Sequence, residues 1–566
     1  MADNAPAIVI LGNGGLATAR RIQQVLPAAQ VLGLEGRVQG ADHAYAEFGA
    51  TLRQLYQSGA PIIALCAAGI VIRTLAPLLQ EKGSEPPVLA VAEDGSAVVP
   101  LLGGLAGVNA LAREIASALQ VAPAITTSGE LRFGTCLLNP PAGYALADLE
   151  QGKRFVSDLL GGETVRIEGD APWLGTAQLP QAADARRTIH VGHALREPAV
   201  DELLIHPRNV LVAIGEAGDG LADEVRAVLR QAGIAQPSLA GLLAADAQMA
   251  DPRVHQAAAQ LQVPVRYLAA SDGATRLAQT GLALQVLPGP LSIGVAARPL
   301  NMTRIGRPRG RLAVIGLGPG ARELMVPAVQ AELARATDVL GYETYVRMAG
   351  PFRDDQVLHN TDNREEMQRA RHAFELAAQG RSVVMVSSGD PGVFAMAAAV
   401  LEALHEVVDD PAREDWRGVE LQILPGVSAS LATAALAGAP LGHDFCVVSL
   451  SDNLKPWSII ERRLDLAAQA DLVLAFYNPI SRARPWQLGQ ALDIVRRHRA
   501  ADTPVTLGRD VGRPAQALRV VTLGELTPEM VDMRTMVLVG SSTTCTFPRA
   551  DGGQWVYTPR WYGSKP

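Results

Sequence analysis

LAVIGLGPG, Leu312 to Gly320, is an apolar run that ends in three alternating glycines. Uninterrupted apolar residues from Leu312 to Ile315 predict a strand buried on both faces. The glycines after it let backbone N–H groups approach a ligand at the strand's end. A dinucleotide fold would need G-x-G-x-x-G leading into a helix. Here Gly316, Gly318 and Gly320 give G-x-G-x-G around Pro319, which fixes its own φ, lacks a donor and pushes Gly318 out of helical geometry. That disfavours a nicotinamide ligand.

Moving outward, the same device recurs. Ser382–Ser387 ends in Ser388-Gly389-Asp390-Pro391-Gly392, with a helix predicted from Val393 to Leu404. Leu421–Leu424 runs into Pro425-Gly426-Val427-Ser428-Ala429, Leu472–Phe476 into Tyr477-Asn478-Pro479, and GRDVGR follows at Gly508–Arg513. A carboxylate such as Asp390 at a strand's C-terminal end can face a ligand in the crevice of an open α/β sheet, or merely cap the next helix. Each of the other turns could also be local, since Gly, Pro, Asn and Ser favour turns. Short apolar runs at 7–11, 61–65, 88–92, 210–214 and 536–539 extend the alternation along the whole chain. It predicts α/β layers with largely parallel, buried strands.

At 566 residues the chain is too long for one core. The clearest seam is AARPLNMTRIGRPRG, 296–310; a weaker one, with little helical or strand period, spans 184–209. The expected blocks are 1–185, 186–300 and 311–550. A net charge of −7 argues against a nucleic-acid coat, and four scattered cysteines signal neither a disulfide framework nor a metal site. No apolar run reaches membrane-spanning length, and MADNAPAIVILGNGG has no basic stretch before its short apolar segment, so a cytoplasmic protein is expected.

In order, GLGPG, SSGDPG, LPGVSA, FYNP and GRDVGR resemble the tetrapyrrole methylase family, the class III methyltransferases dependent on S-adenosylmethionine. The resemblance implies two αβα lobes at the C-terminus enclosing the methyl donor, with a tetrapyrrole alongside, preceded here by one or two smaller α/β domains. It implies donor contacts at Pro319, Ser388, Gly389, Asp390, Val393, Ser428, Ala429, Asn478 and Gly512, and a homodimer is common in the family. FYNPISRARPWQL, GRDVGR and VLVGSSTT most resemble the ring-contracting branch that serves corrin synthesis.

A corrin precursor carries many carboxylates, so fixed guanidinium groups are expected around it; Arg482, Arg484, Arg509 and Arg513 are candidates, or else solvated loop arginines. Ring contraction needs a base and a proton donor, for which Asp390, Tyr477, His443 and Asp510 are within sequence reach. His443, in APLGHDF, also reads as an ordinary loop histidine.

Upstream, Ala67–Gly83, Pro86–Leu119 and Pro123–Gly129 resemble the N-terminal domain of the cobalt-precorrin-5A hydrolase family, and VLVAIGEAGDG from Val210 its small C-terminal domain. That family's Gly-His-x-Gly-Gly-Ala-Asn becomes Gly103-Gly104-Leu105-Ala106-Gly107-Val108-Asn109, with no imidazole. The region is therefore expected to dock or hand over an intermediate, in transient contact with neighbouring corrin-pathway enzymes, with retained hydrolysis as the alternative. An RNA methylase of the same fold lacks a basic, aromatic-interleaved patch to support it.

Overall fold

Alternate residues of the strand Arg311–Gly316 face opposite ways. In the computed structural model Leu312 and Val314 pack with helices Glu366–Ala378 and Met396–His405, while Ala313 and Ile315 pack with helices Pro327–Arg335 and Glu343–Ala349. A strand covered on both faces has no polar side to show, which is why its sequence reads as a continuous apolar run. The structure describes residues 5–79, 85–287, 289, 291–361, 366–407, 410 and 414–561. The first four residues of the N-terminal stretch and positions 80–83 of the hydrolase-like motif lie outside the described residues.

The chain divides into two compact units, Met1–Pro308 and Arg309–Pro566. In the second, five parallel strands form the first lobe, in the order 357–361, 338–342, 382–387, 311–316, 420–424. The second lobe has the order 445–449, 473–477, 535–539, 504–509, 517–522. Helices Trp457–Gln469 and Gln487–Arg496 cover one of its faces and Ala434, from helix Ala429–Ala437, packs on the other.

The expectation of largely parallel strands fails in this lobe. Only 445–449 and 473–477 run parallel; the remaining pairs are antiparallel. The loop from Arg509 to Ala517 is too short for a parallel crossover, which takes a dozen or more residues. Strands 473–477 and 504–509 therefore end on one edge of the sheet, and strand 535–539 begins there.

Among the described residues the first unit holds three sheets. Its first, in the order 43–45, 30–34, 7–10, 62–65, 88–91, 98–102, is parallel except for the last strand. The segment 184–209, read as a seam, instead carries strands Arg187–Val191 and Glu202–Pro207 at the centre of a four-stranded sheet that also takes in Tyr144–Leu146 and Val165–Glu168. Of the prolines and arginines that suggested a linker, Arg187 begins one strand and Pro207 ends the other, while Arg186 and Pro198 lie just outside them, so the expected boundary at 185 falls within one sheet. The third sheet takes in Val210–Ala213 and Ser292–Ala296, and residues 297–308 pack back on it through backbone hydrogen bonds between Tyr267 and Arg307.

Candidate active site

Three loops meet where the first-lobe strands end. Gly318 N–H donates to Gly389 O at 3.1 Å and Gly389 N–H returns to Gly318 O at 2.8 Å, with φ of +71° and +70° at the two glycines. A Cβ on Gly316 would strike Gly389 O and lie 2.9 Å from Gly426 N. The backbones therefore pack with no room for side chains, leaving polar backbone edges at the end of the sheet.

Asp390 fastens this assembly. Its Oδ1 accepts from Gly392 N–H at 2.8 Å and its Oδ2 from Gly426 N–H at 3.0 Å. With both oxygens engaged by backbone donors, Asp390 is a positioning group rather than the base considered above. Nor does it cap a helix: the helix predicted from Val393 begins at Met396, with Ala395 before it and Phe394 at φ +52°. A left-handed residue interrupts the helical geometry, and Val393 lies half-buried in the turn.

Ser428 caps helix Ala429–Ala437, its Oγ accepting from Leu431 N–H at 3.4 Å. The hydroxyl of Tyr477, at the end of a second-lobe strand, accepts from Ser430 N–H at 3.1 Å and lies 3.0 Å from Ser430 Oγ. Asn478 has φ +50°, and its Nδ2 donates to Ser449 Oγ at 3.1 Å. Arg484 is buried and donates through Nη1 to Asn478 O at 3.1 Å. It clamps the FYNP loop, and its fork is not open to a substrate carboxylate as expected. Arg482 is exposed beside it.

The late loop closes on the first. Gly512 has φ +76°, and a Cβ there would lie 2.8 Å from Pro319 Cγ; Arg513 Nε donates to Pro319 O at 3.2 Å. Behind this contact Asp510 is buried among guanidinium groups, with Arg509 Nη1 and Arg534 Nη1 each 3.3 Å from Oδ2 and Arg513 Nη1 4.0 Å from Oδ1. Asp532 takes a 2.9 Å hydrogen bond from Arg509 Nε. Asp510, considered above as a base, is thus held among three arginine side chains as an electrostatic hub. Burial pushes the nearby Tyr345 phenol up, partly offset by Arg513, so it stays neutral.

His443 does not join the site. It precedes strand Phe445–Ser449, whose far end, Ser449, pairs with Tyr477, so a whole strand separates the imidazole from the cleft. Its Nδ1 accepts from Asp444 N–H at 2.8 Å. His443→Ala is expected to change kcat/KM by no more than about twofold, the scale of a surface substitution, in a steady-state methyl-transfer assay.

Sequence reasoning missed Gly426, Ser430, Asp532 and Arg534. Gly426 stood inside a quoted motif and could have been marked; Ser430 follows that motif directly. Arg534 could not, because it reaches this edge only through the antiparallel entry of strand Thr535–Val539.

In the first unit, a cleft of about 300 Å³ opens where strands 7–10, 62–65 and 88–91 end, lined by Leu11, Leu65, Cys66, Ala67, Ile70, Ala92 and Glu93. Burial pushes the Cys66 thiol up to about 11, so it supplies no thiolate nucleophile at neutral pH. The Gly103–Asn109 segment follows the antiparallel strand Val98–Leu102, whose end pairs with the start of Val88–Val91, and so lies at the opposite edge.

A donor of adenosine and methionine parts fits the second unit. Glycine-tight backbone edges at 316–320, 389 and 426 suit close approach, and Ser428, Ala429 and Asn478 border the same crevice. The fold and this site define a class III methyltransferase of two αβα lobes, dependent on S-adenosylmethionine.

Residues 311–527 match the model of the Tetrapyrrole (Corrin/Porphyrin) Methylases, and residues 50–130 that of the Cobalamin synthesis G N-terminal family. A precorrin-3B C(17)-methyltransferase of a Sinorhizobium species is 51% identical over 253 residues, which are 45% of this chain and 97% of that protein. Cobalamin biosynthesis protein CobIJ of Mycobacterium tuberculosis is 48% identical over 257 residues, 45% of this chain but only 48% of that protein. A probable cobalt-factor III C(17)-methyltransferase of Salmonella typhimurium is 41% identical over 251 residues, 44% of this chain and 99% of that one. The solved structure of the methyltransferase CobJ shares 52% identity, covering 44% of this chain and all of that one, with a TM-score of 0.41. The chain belongs to the tetrapyrrole methylase family, fused to an N-terminal region similar to the cobalamin synthesis G proteins. Among the described residues no helix is long and apolar enough to cross a membrane.

Proposed function

We propose that this chain methylates precorrin-3B at C(17) and contracts its ring to precorrin-4 in cobalamin biosynthesis. The observation that carries this reading is 51% identity across nearly the whole length of a precorrin-3B C(17)-methyltransferase. S-adenosylmethionine supplies an electrophilic methyl group on a sulfonium. The glycine-tight loops and the Pro319–Gly512 contact would hold the donor and exclude water from it, so that proximity and desolvation would lower the barrier. Of the four acid–base candidates, Tyr477 is the one assigned to proton transfer at the shifting acyl group; its hydroxyl accepts from Ser430 N–H at 3.1 Å and lies 3.0 Å from Ser430 Oγ.

The similarity to cobalt-factor III methylases supports a second acceptor, the same macrocycle already carrying cobalt. Purified protein incubated with S-adenosylmethionine and either precorrin-3B or cobalt-factor III, followed by mass and absorbance, separates the two. A methyl gain on neither sinks both readings.

The first unit is assigned to docking and transfer of the labile macrocycle, since it lacks the family's histidine. Residues 309–566 expressed alone should then keep kcat on added substrate. Loss of kcat with intact folding would restore a catalytic role for the first unit, including the hydrolysis considered above. A cytoplasmic homodimer belongs to the same proposal, supported by family resemblance.

A further inference from the structure

The turn after Asp390 places Phe394 in a conformation that a bulky aromatic residue rarely adopts, at φ +52°, with 52% of its surface exposed. Such strain persists only where the surroundings enforce it, and it gathers at ligand sites. Burial does not explain the exposed ring. It stands between two second-lobe groups. The Tyr477 ring lies 5.4 Å away, centroid to centroid and tilted 58°, and Lys455 Nζ lies 5.8 Å from the Phe394 centroid.

We propose that Phe394 is the platform against which one face of the tetrapyrrole rests, with Lys455 receiving a carboxylate at one rim of the macrocycle and Arg509 and Arg534 receiving one at the other. The proposal rests on a tetrapyrrole acceptor but not on which one. The order of strands along the second-lobe edge supports it. Lys455 follows the strand 445–449, Tyr477 ends its neighbour 473–477, Arg534 leads into 535–539 and Arg509 ends 504–509. Adjacent strands lie about 4.8 Å apart, so three steps put the two cationic ends about 14 Å from each other, with the aromatic pair toward one side. A flat apolar macrocycle bearing carboxylates around its rim matches that row.

The cations are also suited to a visiting anion. Among the described residues no carboxylate forms an ion pair with Lys455. Burial pushes its ammonium down and the like charge of Arg463 pushes the same way, so an incoming carboxylate would relieve both. At the other end Asp510 Oδ2 accepts no hydrogen bond among the described residues, although two guanidinium groups stand 3.3 Å from it, so their N–H donors are not consumed there.

The test uses the full chain with uroporphyrin III as a planar polycarboxylate probe, titrated by fluorescence, and S-adenosylhomocysteine titrated by calorimetry. Phe394→Ala should weaken uroporphyrin binding about tenfold, the scale of one lost aromatic contact, and raise the acceptor KM similarly. Phe394→Tyr should restore both. S-adenosylhomocysteine affinity should stay within about twofold. Lys455→Ala should weaken uroporphyrin and reduce the salt dependence of its binding. Should Phe394→Ala fold poorly, Phe394→Gly, which suits the left-handed backbone, makes the same comparison. Unchanged uroporphyrin affinity in a folded variant overturns the platform, as does an equal loss of S-adenosylhomocysteine, which would place the ring under the donor. Wild-type protein that binds no uroporphyrin overturns it together with the tetrapyrrole reading.

Discussion

Gly426→Ala is expected to reduce affinity for S-adenosylmethionine at least about a hundredfold while leaving the second lobe folded. The added methyl would strike Gly389 O and stand 2.7 Å from Gly316 O, and both obstacles are backbone. Relief requires the three loops to part, breaking the Gly318–Gly389 pair and the Gly426 N–H bond to Asp390. Overpacking a tight interior costs about 1–3 kcal/mol, and a clash with fixed backbone belongs at or above the top of that range. A loss of about 3 kcal/mol would lower the melting temperature of a unit this size by roughly 6–12 °C. Gly489→Ala is the control: it sits on helix Gln487–Arg496, where its Cβ would meet only Pro528 Cγ at 3.8 Å, and alanine there is neutral or stabilising. Calorimetric titration of donor on both variants, with thermal melts, checks the pair. Normal donor affinity in Gly426→Ala would mean that these loops do not form the donor site.

The contrast between those glycines shows what the sequence could and could not convey. Strand ends and their glycine turns were legible because both-face burial and positive φ leave local marks, as at Leu312–Gly320 and Gly389. The direction of a strand leaves none. Thr535–Val539 is as apolar as Leu312–Ile315, yet it runs antiparallel to its neighbours, and only that carries Arg534 to Asp510. The 184–209 segment misled for a related reason: strand Glu202–Pro207 ends on a proline and follows a proline-containing loop, so its buried core was masked by punctuation on both sides.

Site roles were less legible than site membership. Asp390, Asp510 and Arg484 all lie in loops beyond strand ends, but what each does depends on who reaches it first. For Asp390 two backbone amides do, for Arg484 a backbone carbonyl does, and for Asp510 three arginines do. His443 shows the converse, a chemically able side chain held a strand's length from the cleft.

Asp510→Asn tests the hub directly, with an expected loss in kcat/KM on the order of a hundredfold, the penalty for misplacing substrate by about 1 Å. The amide keeps the shape and removes the charge that draws Arg509, Arg513 and Arg534 together. Arg513 also donates to Pro319 O, so a relaxed cluster loosens the contact between the late loop and the first glycine loop as well as the cationic end of the edge. Both acceptor KM and donor affinity should therefore suffer while kcat at saturation is largely kept. Stability should fall by only about 1–2 kcal/mol, since the arginine side chains are 32–54% exposed and can rehydrate. Asp510 acting as the base would give the opposite split: kcat lost at every pH, with donor affinity and KM intact. Steady-state kinetics across pH, paired with donor titration, therefore decides between an aspartate that moves a proton and one that holds three arginines in place.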